Sequence, residues 1–169
     1  MGELFTASAM GRYQDELKSA LVLSMFIPLI ISSGGNSGSQ ASTLVIRAMA
    51  LGQVRLRDWW RIVQREVASG LVLGVFLALI GLMRILLWQA LFPGRYGEHY
   101  GLVALTVSLS LIGVVTWGTL TGALLPLVLR ALRFDPASAS APFVATLVDV
   151  FGLVIYFNIA QLLLAGRLL

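Results

Sequence analysis

Four apolar stretches divide the chain, and each is interrupted by small or polar residues in its own way. The first runs from Leu17 to Ile31 with only Lys18, Ser19 and Ser24 as polar breaks. It meets Ser33-Gly34-Gly35-Asn36-Ser37-Gly38-Ser39-Gln40 and then a second apolar run, Leu44-Val45-Ile46. A membrane-spanning helix needs about 20 apolar residues, so this stretch is long enough only if helix continues to about Leu51. Pro28 and Gly34-Gly35 predict a bend or break within it. Val67 to Phe92 is the second span, rich in Leu and Val, with a GxxxG pattern at Gly70 and Gly74. Leu102 to Leu129 is the third, studded with Thr106, Ser108, Ser110, Thr116, Thr119 and Thr121, which predicts packing against helices and contact with water. Pro126 is expected to kink its end. Pro142 to Leu168 is the last span and carries Asp149.

Between the spans lie polar connectors. Residues 1–14 read as a remnant or loop, and Asp15-Glu16 as the acidic first turn of a helix. Gly52 to Arg65 is basic, with Trp59 and Trp60 suited to the headgroup level, and is expected to hold a short amphipathic helix at the interface. Pro93 to Tyr100 reads as a loop, and Arg130 to Pro136 as a stop, with small residues Ser138 to Ala141 leading to Pro142. The expected fold is therefore an all-α polytopic membrane bundle. It is a single transmembrane pore domain over residues 1–169, with spans at about 15–51 (broken or bent), 67–92, 102–129 and 142–168.

Composition supports lipid as the solvent. The chain is 58% hydrophobic and only 12% charged, against about 25% charged in ordinary soluble domains, and its mean hydropathy is +0.89. With no Cys, disulfides, thiolate metal sites and cysteine nucleophiles are excluded, and with one His a multi-His site within one chain is excluded too. The net charge of +4 reads as basic helix flanks, and no nucleic-acid surface is expected. Residues 1–16 lack the contiguous apolar core of a signal peptide. If the spans alternate, Arg47, Arg55, Arg57, Arg61, Arg65, Arg130 and Arg133 share one side, and Arg12, Lys18, Arg84, Arg95 and Arg167 the other. The side with the basic segments 52–65 and 130–133 is then expected to be cytoplasmic, in a bacterial inner (plasma) membrane.

Two features carry candidate chemistry. Asp149 is the one acidic residue inside an apolar span, where a charge is costly and usually functional. It sits on a stripe of mostly small residues, Pro142, Ala145, Thr146, Asp149, Gly152 and Tyr156, which suits a pore wall; Val148, Phe151 and Leu153 fall on the opposite surface. A carboxylate kept protonated, or paired with Arg84 or Arg47, is the alternative. The second feature is the glycine–amide stretch. Asn36 and Gln40 are four apart and share a helix face. Its backbone and amide oxygens would serve an ion path, or its glycines would mark only a helix crossing. An oxygen-only ligand set selects hard cations. One Asp149 supplies a single negative charge; two on a two-fold axis match a divalent ion, which favours a homodimer. Mg2+ dehydrates reluctantly and is held through its waters, and acid is expected to inhibit by protonating Asp149. Catalysis has no candidate pair: intramembrane aspartyl chemistry needs two facing carboxylates, and His99 lies in a loop.

The stretch from Pro28 to Thr43 (Pro28-Leu29-Ile30-Ile31-Ser32-Ser33-Gly34-Gly35-Asn36-Ser37-Gly38-Ser39-Gln40-Ala41-Ser42-Thr43), followed by Arg47 and Gly52, resembles the signature of MgtE magnesium channels and their eukaryotic solute-carrier relatives. Pro142 to Tyr156, with Ala145, Thr146, Asp149 and Gly152, is similar to the family's last helix, whose aspartate lies at the pore centre. The resemblance implies a homodimeric channel passing hydrated Mg2+ between subunits. It implies Asp149 as the ion-binding residue, with the Ala145 carbonyl, Asn36 and the Gly34-Gly35 backbone nearby and Gln40 and Thr43 further along the same helix. The family has five membrane helices and this chain four clear ones, so residues 1–12 are expected to be the tail of a first helix and its loop in a truncated or divergent chain. The family's cytoplasmic N domain and paired CBS domains have no counterpart in the sequence, so their Mg2+ feedback is not expected of it. Two other functions stay open: a Na+-coupled or broad divalent-cation exchanger, separated by the effect of a Na+ gradient, and a non-transporting scaffold, which would tolerate Asp149→Leu.

Overall fold

A computed structural model describes residues 2–12, 21–96 and 99–164. The helix start expected at Asp15-Glu16, part of the loop at Gly97-Glu98, and the last turns before Leu168 lie outside the described residues. The fold is all-α: α1 (Gly2–Arg12), a single turn α2 (Leu21–Ser24), α3 (Ile27–Ala50), α4 (Trp59–Leu91), α5 (Tyr100–Ala131) and α6 (Pro136–Leu164). Among the described residues four helical stretches are long and apolar enough to cross a membrane: Leu21–Ala50, Leu56–Leu91, Tyr100–Ala131 and Phe143–Leu164.

The break in the first span falls at Met25-Phe26, before the glycines. Pro28 sits in the first turn of α3, where a missing N–H costs nothing because that donor has no intrahelical partner. Gly34-Gly35, expected to bend the chain, run straight through α3. The helix ends where Gly52 takes φ +70° and Gln53 N–H reaches back to the Ala48 carbonyl at 2.9 Å, a glycine-closed C-terminus. Nor is there a separate interfacial helix after it. The Arg55 N–H donates to the Asp58 carboxylate at 2.9 Å, a three-residue 3-10 turn Leu56–Asp58 follows, and α4 rises directly from Trp59. Nothing between Trp59 and Val67 is Gly or Pro, so no residue stops the helix from starting that early. The expected stop at Asp135-Pro136 is instead a start signal. Asp135 accepts from the Ala137 N–H at 3.1 Å, and Pro136 opens α6, the arrangement of an N-cap followed by proline. Pro142, read as the beginning of the last span, is thus inside α6.

Helix α5 is the hub, packed against α3, α4 and α6. Contact with water is expected of its hydroxyls; four of them are spent on carbonyls instead, whereas the buried Ser110 hydroxyl has no partner among the described residues. Thr106 donates to Leu102 at 2.8 Å, Ser108 to Ala78 of α4 at 3.3 Å, Thr116 to Ile112 at 2.7 Å and Thr119 to Glu66 of α4 at 3.2 Å. Inside a bilayer a hydroxyl has no water to bond, so backbone oxygens satisfy it. The GxxxG pattern is used here: a side chain at Gly70 would meet Thr116 and Thr119, and one at Gly74 would meet Ile112.

The break before α3 is pinned from the last helix. Tyr156, fully buried, donates its hydroxyl to the Leu23 carbonyl at 2.8 Å, and Phe26 beside it contacts the Tyr96 ring. The Leu23 carbonyl, at the end of α2, keeps one backbone donor, the Phe26 N–H at 3.1 Å, and Tyr156 supplies a second for its other lone pair. Tyr156→Phe should therefore cost about 0.5–1.5 kcal/mol, the net worth of one hydrogen bond, measurable as a lowered thermal midpoint in detergent. An unchanged midpoint would mean that this second bond adds nothing to the fold.

Candidate functional site

Helix α3 has two faces. Ile30, Gly34, Ser37, Gly38, Ala41, Ser42, Val45 and Met49 are buried. Opposite them Ser32, Asn36, Ser39, Gln40 and Thr43 are exposed, at steps of three and four that make one stripe. Two of these side chains are tied to their own helix. The Asn36 amide donates to Ser32 Oγ at 3.3 Å, and the Thr43 hydroxyl to the Ser39 carbonyl at 2.9 Å. With its donor engaged, an amide has its oxygen left for an ion or an ion-bound water.

The glycines divide between two jobs. A Cβ on Gly118 of α5 would strike the Gly34 carbonyl oxygen, and one on Gly122 the Gly38 carbonyl oxygen. A Cβ on Gly34 would meet Val114 and Val148, and one on Gly38 would meet Val144. Gly34 and Gly38 therefore form the crossing of α3 with α5 and α6, and the Gly34 carbonyl is turned to Gly118. Gly35 has open space around it. The four-residue spacing of Gly118 and Gly122, equal to that of Gly34 and Gly38, is the sequence signal that could have paired them.

These contacts set the register. Gly34 lies against Val148 and Gly38 against Val144, so α3 and α6 are antiparallel, whereas the Gly34–Gly118 and Gly38–Gly122 pairs make α3 and α5 parallel. The basic segments after α3 and α5 consequently meet at one end, where Arg130 donates to the Met49 carbonyl at 3.4 Å. The stripe drawn on the last helix does not hold as one surface. Ala145 is exposed and Asp149 half-buried, but Gly152 and Tyr156 are buried, Gly152 against Ile31 and Val114. Val148 and Leu153, expected on the surface opposite that stripe, are core residues. Small residues mark where helices approach one another, and four-residue steps drift around a 3.6-residue helix. Asp149 is one residue on from Val148, and Gly35 one on from Gly34, so both sit at the level of the crossing on its outward flanks. Among the described residues Asp149 has no ion-pair partner. Arg84 lies 5.9 Å from the Trp88 ring, and Arg47 lines a cavity near Arg65 and Glu66. Among the described residues no group of three or more His, Asp or Glu could hold a metal ion.

Residues 27–159 match the MgtE family, described as a divalent cation transporter. The chain is 37% identical over 161 residues to the magnesium transporter MgtE of Thermus thermophilus, covering 95% of this chain and 34% of that protein. It is 32% identical to the magnesium transporter MgtE of Enterococcus faecalis over 93% of this chain and 33% of the relative. Against the Bacillus subtilis protein of the same name the identity is 29%, with the same coverage of 93% and 33%. The chain thus spans about one third of the length of these relatives, and its apolar helices make it an integral membrane protein. With both segments that carry the resemblance, Pro28 to Thr43 and Pro142 to Tyr156, inside the matched region, this chain belongs to the MgtE family of divalent cation transporters.

Proposed function

We propose that the chain is the pore of a Mg2+ transporter, assembled as a two-fold homodimer in which Asp149 of each subunit binds the hydrated ion. The observation that carries this reading is the exposed polar stripe of α3, Ser32, Asn36, Ser39, Gln40 and Thr43, next to the Asp149 flank of α6. Lipid cannot satisfy amides and hydroxyls, so such a face must meet water or protein. The contrast with α4 is informative, since its exposed side chains include Val72, Phe76, Leu79, Ile80 and Met83, a face suited to acyl chains.

The chemistry follows from the ligand types. A carboxylate attracts the cation; two of them across the axis balance a divalent charge. Mg2+ keeps most of its waters, so contacts run through those waters to the Asn36 amide, the Ala145 carbonyl, the Gly35 backbone, Gln40 and Thr43. Gly34 contributes the close helix crossing that holds the Asp149 helix at this level. The names of the relatives, all magnesium transporters, favour Mg2+ as cargo. The arginine-rich end bearing residues 52–65 and 130–133 faces the cytoplasm of a bacterial cell.

The chain has no cysteine, so single substitutions report accessibility without background. Asn36→Cys and Thr43→Cys should react with a water-soluble, membrane-impermeant thiol reagent in vesicles, and Mg2+ should slow the reaction. Leu79→Cys should stay unreactive. If Asn36→Cys and Leu79→Cys are equally inert, the polar stripe does not line a water-filled path.

A further inference from the structure

On another part of the molecule, a cavity of about 340 Å3 opens where the end of α3, the connector and the second turn of α4 converge. Arg47 and Arg65 line it from the two helices, with Glu66 and Gln53 beside them and Val45 and Ile62 among its apolar walls. We propose that this cavity binds the headgroup phosphate of an anionic phospholipid.

Its position, charge and walls agree on that ligand. Trp59 and Trp60 are exposed and stack edge to face at 5.4 Å between centroids, as tryptophans do at the headgroup level. Arg65 follows Trp60 by five residues, about 8 Å further along the helix, so the cavity lies just inside the tryptophans, near the boundary between headgroups and acyl chains. Two guanidinium groups against one carboxylate leave one positive charge, which one phosphodiester neutralises. Guanidinium groups bind phosphate oxygens in pairs, with directed hydrogen bonds. Glu66 and Gln53 provide acceptors for a headgroup hydroxyl. The apolar walls fit the glycerol and first acyl carbons, for which a free phosphate ion has no use. Basic pockets between membrane helices on the arginine-rich side are the setting in which anionic headgroups are held. The site is separate from the polar stripe of α3, so it stands or falls without the ion pathway.

The test uses the full chain in mixed phosphatidylcholine–phosphatidylglycerol nanodiscs. The readout is the phosphatidylglycerol retained per chain on transfer to detergent, measured by native mass spectrometry. Each arginine lost should weaken retention roughly tenfold, the effect of one charged hydrogen bond, and Arg47→Ala/Arg65→Ala should abolish the preference over phosphatidylcholine. Arg57→Ala removes a connector arginine that does not line the cavity, and should retain lipid as the parent does. Arg47→Lys/Arg65→Lys, which keeps the charge, should restore part of the preference if the alanine pair folds poorly. Equal retention by the parent and the alanine pair overturns the proposal. So does arginine-dependent binding of inorganic phosphate to the delipidated chain without any lipid preference, which would mark a site for a soluble anion.

Discussion

Asp149→Ala should lower Mg2+ uptake into vesicles at least about tenfold and up to about a hundredfold, since a charge-assisted contact is worth about 1.5–3 kcal/mol. In a two-fold pore each substitution removes the charge twice, leaving the ion only neutral oxygens. Asp149→Asn keeps the size and an oxygen but not the charge, and should fail nearly as badly. Asp149→Glu should retain part of the flux. The substitution is also clean. Among the described residues Asp149 has no ion-pair partner, so its removal orphans no buried cation, and the thermal midpoint of the alanine variant should stay close to the parent's. Full uptake by Asp149→Ala would exclude the proposed ion site, and a collapsed midpoint would show that the carboxylate serves the fold.

The largest effect on stability is expected at Gly122. A methyl group there would overlap the Gly38 carbonyl oxygen, a backbone atom that cannot move aside without shifting all of α3. Gly118→Ala presses in the same way on the Gly34 carbonyl. Overpacking of a well-fitted core typically costs 1–3 kcal/mol, and occasionally more. The rigid backbone places Gly122→Ala at the top of that range, and the pair of substitutions should prevent folding. Gly35→Ala is the control: nothing lies within 4 Å of the added carbon, and alanine is the better helix former by about 1 kcal/mol. Thermal midpoints in detergent would separate these cases. Equal losses at Gly35 and Gly122 would contradict the crossing. Reduced uptake with an unchanged midpoint in Gly35→Ala would support Gly35 facing the ion path.

Hydropathy and charge by themselves determined the fold class, because spanning a bilayer forces backbone groups into helices and apolar side chains outward. The same local rules made Asp149 conspicuous, since every other acidic residue lies near the edge of an apolar span or outside the spans. Periodicity also put Asn36 and Gln40 on one face of α3, whereas the exposure of Ser32, Ser39 and Thr43 beside them follows from how the helices pack. Helix ends were harder to read. Asp135-Pro136 looks alike whether it stops one helix or starts the next, and only the Ala137 N–H on the Asp135 carboxylate decides it.

Tertiary structure alone decided what each glycine does. Gly34 and Gly35 are neighbours of identical composition, yet one is wedged against Val114 and Val148 and the other is open. That difference of 100° around a helix depends on where α5 and α6 lie, which no local pattern encodes. The same holds on the last helix, where the small residues Ala145 and Gly152 share a stripe in sequence but only Gly152 is covered, by Ile31 and Val114. The chain's own letters thus specify membrane helices and a lone carboxylate, whereas the contacts between helices determine which small residues are packing and which remain free to meet an ion.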